Sequence, residues 1–259
     1  MMNPNKKNVI VTGASSGIGL ELVHRLLKED YNVIAVVRNL SENLPDSKNL
    51  QVLTGDVSHP EEVDKLFDDA MSILGSIDIF IANAGFAYYE KMDTPNWQHI
   101  EKIYQTNTIS AIYSAQKLKT LSQNKPFQFI TTASGMGYFA LPGYALYSST
   151  KAAIRSFSHA YRYELEQGQT FQVVYPIATR TKFFHSAGDS PIPWPSQSVE
   201  VVADAIIKGI ISKKNDIYPS KVFAAVLVAN RILPFISKIY CNIENNRFQE
   251  WLSKQKGAY

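Results

Sequence analysis

Two tyrosines stand ahead of one lysine in the stretch "GYALYSSTKAA" (143–153). A phenol beside an ammonium group can exchange a proton with a bound oxygen. A free tyrosine ionises near about 10, too high for efficient exchange at neutral pH. A cation one helical turn away favours the phenolate and lowers that value. If the stretch is helical, Tyr147 lies four residues before Lys151 and Tyr144 seven, so either phenol can share the lysine's face. On these residues alone both remain candidates, as does the blander reading that both are core aromatics.

A second cluster is "TGASSGIG" (12–19). Glycines at 13, 17 and 19 let a backbone approach a pyrophosphate closely. A helix starting there adds free N–H groups and a partial positive charge. The spacing is G-x-x-x-G-x-G, and a tight strand-to-helix turn packed on a sheet would read the same way. Farther along, "AVVRN" (35–39) places Arg38 directly after Val37, with no acid beside it. A carboxylate at such a strand end would accept hydrogen bonds from ribose hydroxyls. A guanidinium suits a 2′-phosphate instead, so the residues favour NADPH over NADH. Asp56 and Val57 ("GDV") follow a third apolar run, and Asn83, Ala84 and Gly85 ("NAG") a fourth. Taken singly, Asp56 reads equally well as a loop cap and Asn83 as a turn residue.

These residues need rigid elements to hold them. Near-continuous apolar runs at 8–13, 31–37, 50–55, 76–83, 127–134 and 170–176 read as strands buried on both faces. Helical patterns fit 17–29, 60–74, 96–121, 145–167 and 199–212, with Thr94 as an N-cap and Pro95 at the first position of the third. The alternation predicts an α/β fold, a doubly wound parallel sheet covered by helices. No repeat or linker divides the chain, so we read one domain, core about 7–218, with a helical C-terminal extension about 219–259. Hydrophobic residues at 45% and charged residues at 19% fit an ordinary globular chain rather than a disordered one. The single cysteine, Cys241, excludes an internal disulfide and suits a reducing, cytoplasmic compartment. The start reads as no signal peptide, and no run is apolar for long enough to span a bilayer.

With the order TGASSGIG, DV, NAG, Asn107, Ser134 and YSSTK in view, the chain resembles the short-chain dehydrogenase/reductase superfamily over roughly residues 7–212. The resemblance selects Tyr147, four residues before Lys151 and 13 after Ser134. It implies a Rossmann fold and catalytic roles for Asn107, Ser134, Tyr147 and Lys151. Tyr147 would be the general acid and base, Lys151 would bond the nicotinamide ribose, Ser134 would hold the substrate oxygen, and Asn107 would support a water linking Lys151 to solvent. It implies NADP(H) contacts at Gly13, Ser15, Ser16, Gly17, Ile18 and Gly19, then at Arg38, Asp56 and Val57. Further contacts are implied at Asn83, Ala84, Gly85, Tyr147, Lys151, Pro176, Thr179 and Thr181. One departure stands out. Where many members read P-G-x-V-x-T, this chain has "PIATRT" (176–181), with Ile177 for the usual glycine and Thr179 for an aliphatic residue. Isoleucine does not easily adopt a positive φ, so that turn must differ locally.

Phe86, Met136, Tyr138, Tyr144, Phe183 and Phe184 are expected to wall an apolar substrate pocket, together with Tyr88 and Trp194. Such a pocket suits lipid-like, steroid-like or aromatic carbonyls. Residues 182–198, rich in Pro, Ser and Gly, read as a lid. The five histidines have no metal-ligand spacing, and no metal is expected. Net charge is +3, but residues 208–259 carry nine Lys/Arg against three Asp/Glu, whereas the rest carries 17 against 20. The basic tail lacks the pattern of a nucleic-acid binder. Within it, 222–236 has 12 apolar residues in 15. That segment reads as a pocket cap or subunit interface first, and as a peripheral membrane contact (222–240) second. The long third and fourth helical patterns resemble those that pair subunits in this family, so a homodimer or homotetramer is expected. The activity implied is carbonyl–alcohol interconversion. A catalytically silent NADP-binding regulatory protein and a different chemistry on the same scaffold are the alternatives.

Overall fold

The computed structural model describes residues 2, 5–40 and 42–256. The last three residues of the expected extension, 257–259, lie outside the described residues, as do positions 1, 3, 4 and 41. The strands are β1 (Asn8–Thr12), β2 (Asn32–Val37), β3 (Leu50–Thr54), β4 (Ile79–Ala82), β5 (Gln128–Thr132) and β6 (Thr170–Val174). Two short bridging segments follow, β7 (Ala178–Thr179) and β8 (Ser196–Gln197), and then β9 (Asp216–Ile217). The main sheet is parallel in the order β3-β2-β1-β4-β5-β6-β9. The six expected strands are therefore present. The edge strand β9 and the β7–β8 pair are too short to leave a periodic signal.

Helices cover both faces. On one side α1 (Gly17–Lys28) and α7 (Val199–Ser212) bury Leu22, Val23 and Leu26 with Val202, Ile206 and Ile210 against the sheet. On the other lie α2 (Pro60–Leu74), α4 (Ser110–Ser122) and α5 (Ala145–Tyr161). Here a row of rings, Phe67, Phe80, Phe129 and Phe171, stacks at centroid spacings of 5.2, 5.3 and 5.1 Å. That row fixes β4, β5 and β6 against α2. Each buried ring removes about 150–250 Å² from water, so it is a large share of this half-core.

The third helical pattern is not one helix. It divides into α3 (Trp97–Tyr104), a π-helical turn over Gln105–Ile109, and α4. Its N-cap is also not Thr94. Asn96 caps it by accepting from the His99 N–H at 3.0 Å, and the helix starts at Trp97. Pro95 therefore precedes the cap. The last turn of the fourth pattern tightens to a 3₁₀ turn over Arg162–Glu164. Between β6 and α7 sits a four-residue helix, α6 (Phe183–Ser186). The extension forms α8 (Lys221–Ile232) and α9 (Phe235–Lys256).

Strand order places the site. β1 is flanked by β2 on one side and β4 on the other, so the connections leaving the ends of β1 and β4 diverge to opposite faces. A crevice opens between them at the carboxyl ends of the strands. Asn83 sews that crevice together. Its Nδ2 donates to the carbonyls of Thr12 and Gly13 at 3.3 and 3.4 Å, and its Oδ1 accepts from Thr132 Oγ1 at 3.2 Å. Thr12 Oγ1 in turn accepts from the N–H groups of Asn83 and Ala84, each at 3.1 Å.

Candidate active site

A cavity of about 590 Å³ opens at these strand ends. At one end it is lined by Gly13, Ser15, Ser16, Gly17 and Ile18. Gly13 and Gly17 have φ of 65° and 56°, and a Cβ on Gly13 would lie 2.8 Å from the Ala84 Cα. Both positions therefore require glycine for conformation and space. Gly19 does not line the cavity. It packs the helix onto the turn, where a Cβ would fall 2.2 Å from the Gly13 carbonyl oxygen. Arg38, Asp56 and Val57 line the same end. Burial pushes the Asp56 carboxyl up, but two hydrogen bonds from Ser58 and the charges of Arg38 and His59 hold it below its ordinary value.

Asn83, Ala84, Gly85, Pro176, Thr179 and Thr181 line the middle of the cavity, with Ser134, Tyr147 and Lys151. Ser134 stands just past β5. Its Oγ accepts from the Met136 N–H at 3.1 Å, and its hydroxyl lies near enough to Tyr147 to favour the phenolate. Tyr147 and Lys151 come from the first turns of α5. The Lys151 ammonium lies 5.6 Å from the Tyr147 ring centroid and donates to the Thr132 carbonyl at 2.8 Å. Asn107 sits in the π-helical turn. It donates to the Phe86 carbonyl at 2.8 Å and to Thr150 Oγ1 at 3.2 Å, and accepts from the Phe86 N–H at 3.0 Å. The extra residue of a π turn breaks the regular helical ladder, and such turns recur at functional sites. A Cβ on Gly85 would meet Asn107 Oδ1 at 3.1 Å and Lys151 Nζ at 3.5 Å, so Gly85 lets the backbone run beside both groups.

The electrostatics differ from the expectation of an acidified phenol. Tyr147 is only 8% exposed. Burial pushes its phenol up to about 12, against the neighbouring Ser134 hydroxyl, which pulls it down. Lys151 is 4% exposed, and burial depresses its ammonium to about 8. Desolvation penalises both charged forms and outweighs the attraction that sequence spacing suggested.

The two tyrosines separate cleanly. Tyr144 does not reach the cavity. It is the residue before α5, fully buried, with its hydroxyl hydrogen-bonded to Ser190 Oγ at 2.6 Å and its ring against Tyr89. Its expected place in the pocket wall is therefore corrected. Tyr138 is corrected likewise. Its hydroxyl is hydrogen-bonded to the Tyr218 hydroxyl at 2.7 Å, and the Arg155 guanidinium lies 4.1 Å above its ring. Tyr88 stacks on His99 and is also outside the lining. Phe86, Met136, Phe183 and Phe184 do line the cavity, as does Trp194. Phe183 meets the Tyr147 ring edge-on at 5.4 Å.

Ile177 lines the cavity and is not among the described residues with positive φ. Thr179 Oγ1 donates back to the Ile177 carbonyl at 2.9 Å, and the β7–β8 pairing holds the strand that follows. Sequence reasoning named no residue beyond Thr181, Phe183, Phe184 and Trp194 on this side. The structure adds Val222, Phe223 and Val226 of α8 and Ile236 and Tyr240 of α9. The reading of 222–236 as a pocket cap covers the first four of these, whereas Tyr240 lies beyond that segment. Phe223 lies so close that a Cβ on Gly135 would approach its ring to 3.0 Å. Glu244 of α9 is buried near the Trp194 backbone and Arg247, which favour its charged form against the burial that raises it. Among the described residues no group of three or more His, Cys, Asp or Glu could hold a metal ion.

With this geometry in place, comparison with known proteins is direct. Residues 7–191 match the family model of the short chain dehydrogenases. The chain belongs to the short chain dehydrogenase family. This short chain dehydrogenase is 29% identical over 247 residues to the uncharacterized oxidoreductase YbbO of Escherichia coli strain K12, covering 88% of this chain and 91% of that one. It is 26% identical over 230 residues to an 11-beta-hydroxysteroid dehydrogenase of Pinus massoniana, covering 78% and 64%. Among solved structures it resembles a short-chain dehydrogenase from Sphingobium yanoikuyae in complex with NADPH. The TM-score is 0.73 at 23% identity, covering 88% and 94% of the two chains. At that identity the likeness speaks for the fold, a parallel sheet flanked by helices.

The buried lysine makes a stability prediction. The native ammonium titrates at about 8, whereas in the unfolded chain it titrates at its ordinary 10.5. Between those values the unfolded state binds more protons, so this residue's contribution to stability rises with pH. Lys151→Met removes it. In thermal unfolding from pH 7 to 10.5, wild-type stability should gain on the variant as pH rises through that window. A constant difference contradicts a depressed Lys151.

Proposed function

We propose that this oxidoreductase interconverts a carbonyl and a secondary alcohol, using NADP(H) and a substrate that is largely apolar. The observation that carries the reading is the convergence of Ser134, Tyr147 and Lys151 in the wall of one cavity. The cavity's glycine turn and its apolar wall supply room for two ligands.

The residues fit the cofactor. Gly13, Gly17 and the start of α1 would cradle the pyrophosphate, because the first N–H groups of a helix have no intrahelical partner and no Cβ blocks approach. Arg38 would face the 2′-phosphate, and no acid follows Val37 to repel it. Asp56 and Val57 would border the adenine, while Thr179 and Thr181 would border the nicotinamide end. The cofactor, when bound, would supply the hydride chemistry. The protein's part is the proton. Ser134 holds the substrate oxygen beside Tyr147. During reduction the Tyr147 hydroxyl donates its proton to that oxygen as it gains electrons, and during oxidation the phenolate takes it back. Lys151, held by the Thr132 carbonyl, favours the phenolate once it forms. Asn107 keeps the Phe86 backbone in place next to Lys151, where a water could hand protons on to solvent.

The walls carry the substrate class. Phe86, Met136, Phe183, Phe184, Val226 and Ile236 present apolar surface, and the hydroxysteroid named for the Pinus relative is a ligand of that character. Pairing of subunits through the faces of α4 and α5 belongs to the same reading.

Two substitutions test it, with turnover followed by NADPH absorbance on a panel of ketones and aldehydes. Tyr147→Phe should retain NADPH binding and lose about 10²–10⁴-fold in kcat, the usual worth of a general acid. Unchanged turnover removes Tyr147 from the reaction. Arg38→Ala should weaken NADPH binding by about ten- to a hundredfold, the loss of a charge-assisted contact, and leave NADH binding little changed. Equal losses for both cofactors contradict the phosphate assignment.

A further inference from the structure

The helices that roof the cavity have an outer face that no part of the fold covers. The inner face of α8 is pinned by Phe223, whose ring packs edge-on against Phe139 at 5.9 Å. On the outer face Val222, Val228 and Ile232 are 60–78% exposed. The stripe continues past Pro234 into α9 as Phe235, Ile239 and Ile243, each about half exposed and spaced four residues apart. These side chains form one of the densest groups of exposed large apolar residues in the described chain, and isolated soluble proteins rarely leave such a stretch bare.

Charge says what covers it. Between 221 and 243 there is no Asp or Glu, while Lys221, Arg231 and Lys238 are all exposed among the apolar side chains. A second copy docking face to face would bring these cations together. An anionic surface with an apolar interior complements both features. No single helix among the described residues is long and apolar enough to cross a membrane, and α8 and α9 meet at 119°. The bent pair together has the length and composition of a broken span, but Phe223, Val226, Ile236 and Tyr240 line the cavity and keep both helices on the fold. Val222 is both 68% exposed and part of the cavity lining, so the rim of the cavity lies on this same face.

We propose that the outer face of α8 and the first half of α9 docks peripherally on an anionic bilayer, with the cavity rim turned toward the lipid. The docking does not depend on the catalytic reading. An apolar substrate dissolved in the bilayer would reach the rim without crossing water.

Flotation of the full chain tests this, with phosphatidylcholine vesicles compared with vesicles that also contain phosphatidylglycerol. The wild type should float with the mixed vesicles at low salt, stay behind with phosphatidylcholine alone, and be released by high salt. The combined variant Val228→Asp, Ile232→Asp and Ile239→Asp alters only exposed positions outside the cavity lining. It should lose flotation while keeping the wild-type circular dichroism spectrum and Tm. Lys221→Ala with Arg231→Ala and Lys238→Ala should lower vesicle affinity by at least about tenfold. Absence of wild-type flotation overturns the proposal, as does equal flotation with neutral vesicles. A wild-type dimer that the aspartate variant converts to monomer, with no vesicle binding, assigns the face to a second copy and also overturns it.

Discussion

A lysine ammonium held out of water, with a backbone carbonyl as its hydrogen-bond partner, is the constraint on which this site depends. Lys151 is not neutralised by a carboxylate. It donates to the Thr132 carbonyl at the end of β5, and burial holds it near 8. An ammonium in such a place is sensitive to whatever is bound beside it, because little solvent screens the interaction. Tyr147, close by and equally shielded, is pushed the other way, to about 12. Both groups are thus biased toward their neutral forms. Ionising the phenol needs added positive charge close by, and the cavity that these residues line offers the place for it.

The fold supplies that environment through strand ends rather than through any single loop. β1 and β4 diverge and open the crevice, and Asn83 ties the ends of β1, β4 and β5 into one rigid edge. The π-helical turn puts Asn107 where its amide clamps the Phe86 backbone, and Gly85 leaves room for the Lys151 side chain to pass. α8 and α9 then close the far wall with Phe223 and Tyr240. The extension therefore shapes the cavity directly.

Much of this was legible in the amino-acid order. Strands of a parallel sheet are apolar on both faces, so runs such as "NVIVT" announce themselves, and the glycine turn announces a tight strand-to-helix corner. The rest was hidden for physical reasons. One inserted residue at Gln105–Ile109 leaves the apolar periodicity of the third helical pattern nearly unchanged, so the break into α3 and α4 could not be read. Tyr144 and Tyr147 share a helical face by spacing. Only Ser190, 46 residues away, draws Tyr144 out of the cavity. Tyr138 was lost to Tyr218 in the same manner. The phenol's direction was misjudged because spacing reports a neighbouring charge but not the burial that outweighs it. By contrast, 12 apolar residues in 15 marked 222–236 as a pocket cap or subunit interface, and Val222, Phe223, Val226 and Ile236 do line the cavity.

The account therefore turns on how one phenol responds to charge. The most direct measurement is an ultraviolet difference titration of wild type against Tyr147→Phe, which isolates this hydroxyl from the other tyrosines, made with and without NADP⁺. Free protein should show the phenol ionising at about 12, and saturating NADP⁺ should bring it down toward neutrality. A phenol that ionises near the ordinary 10 in the free protein, or that does not move when NADP⁺ binds, would contradict the account.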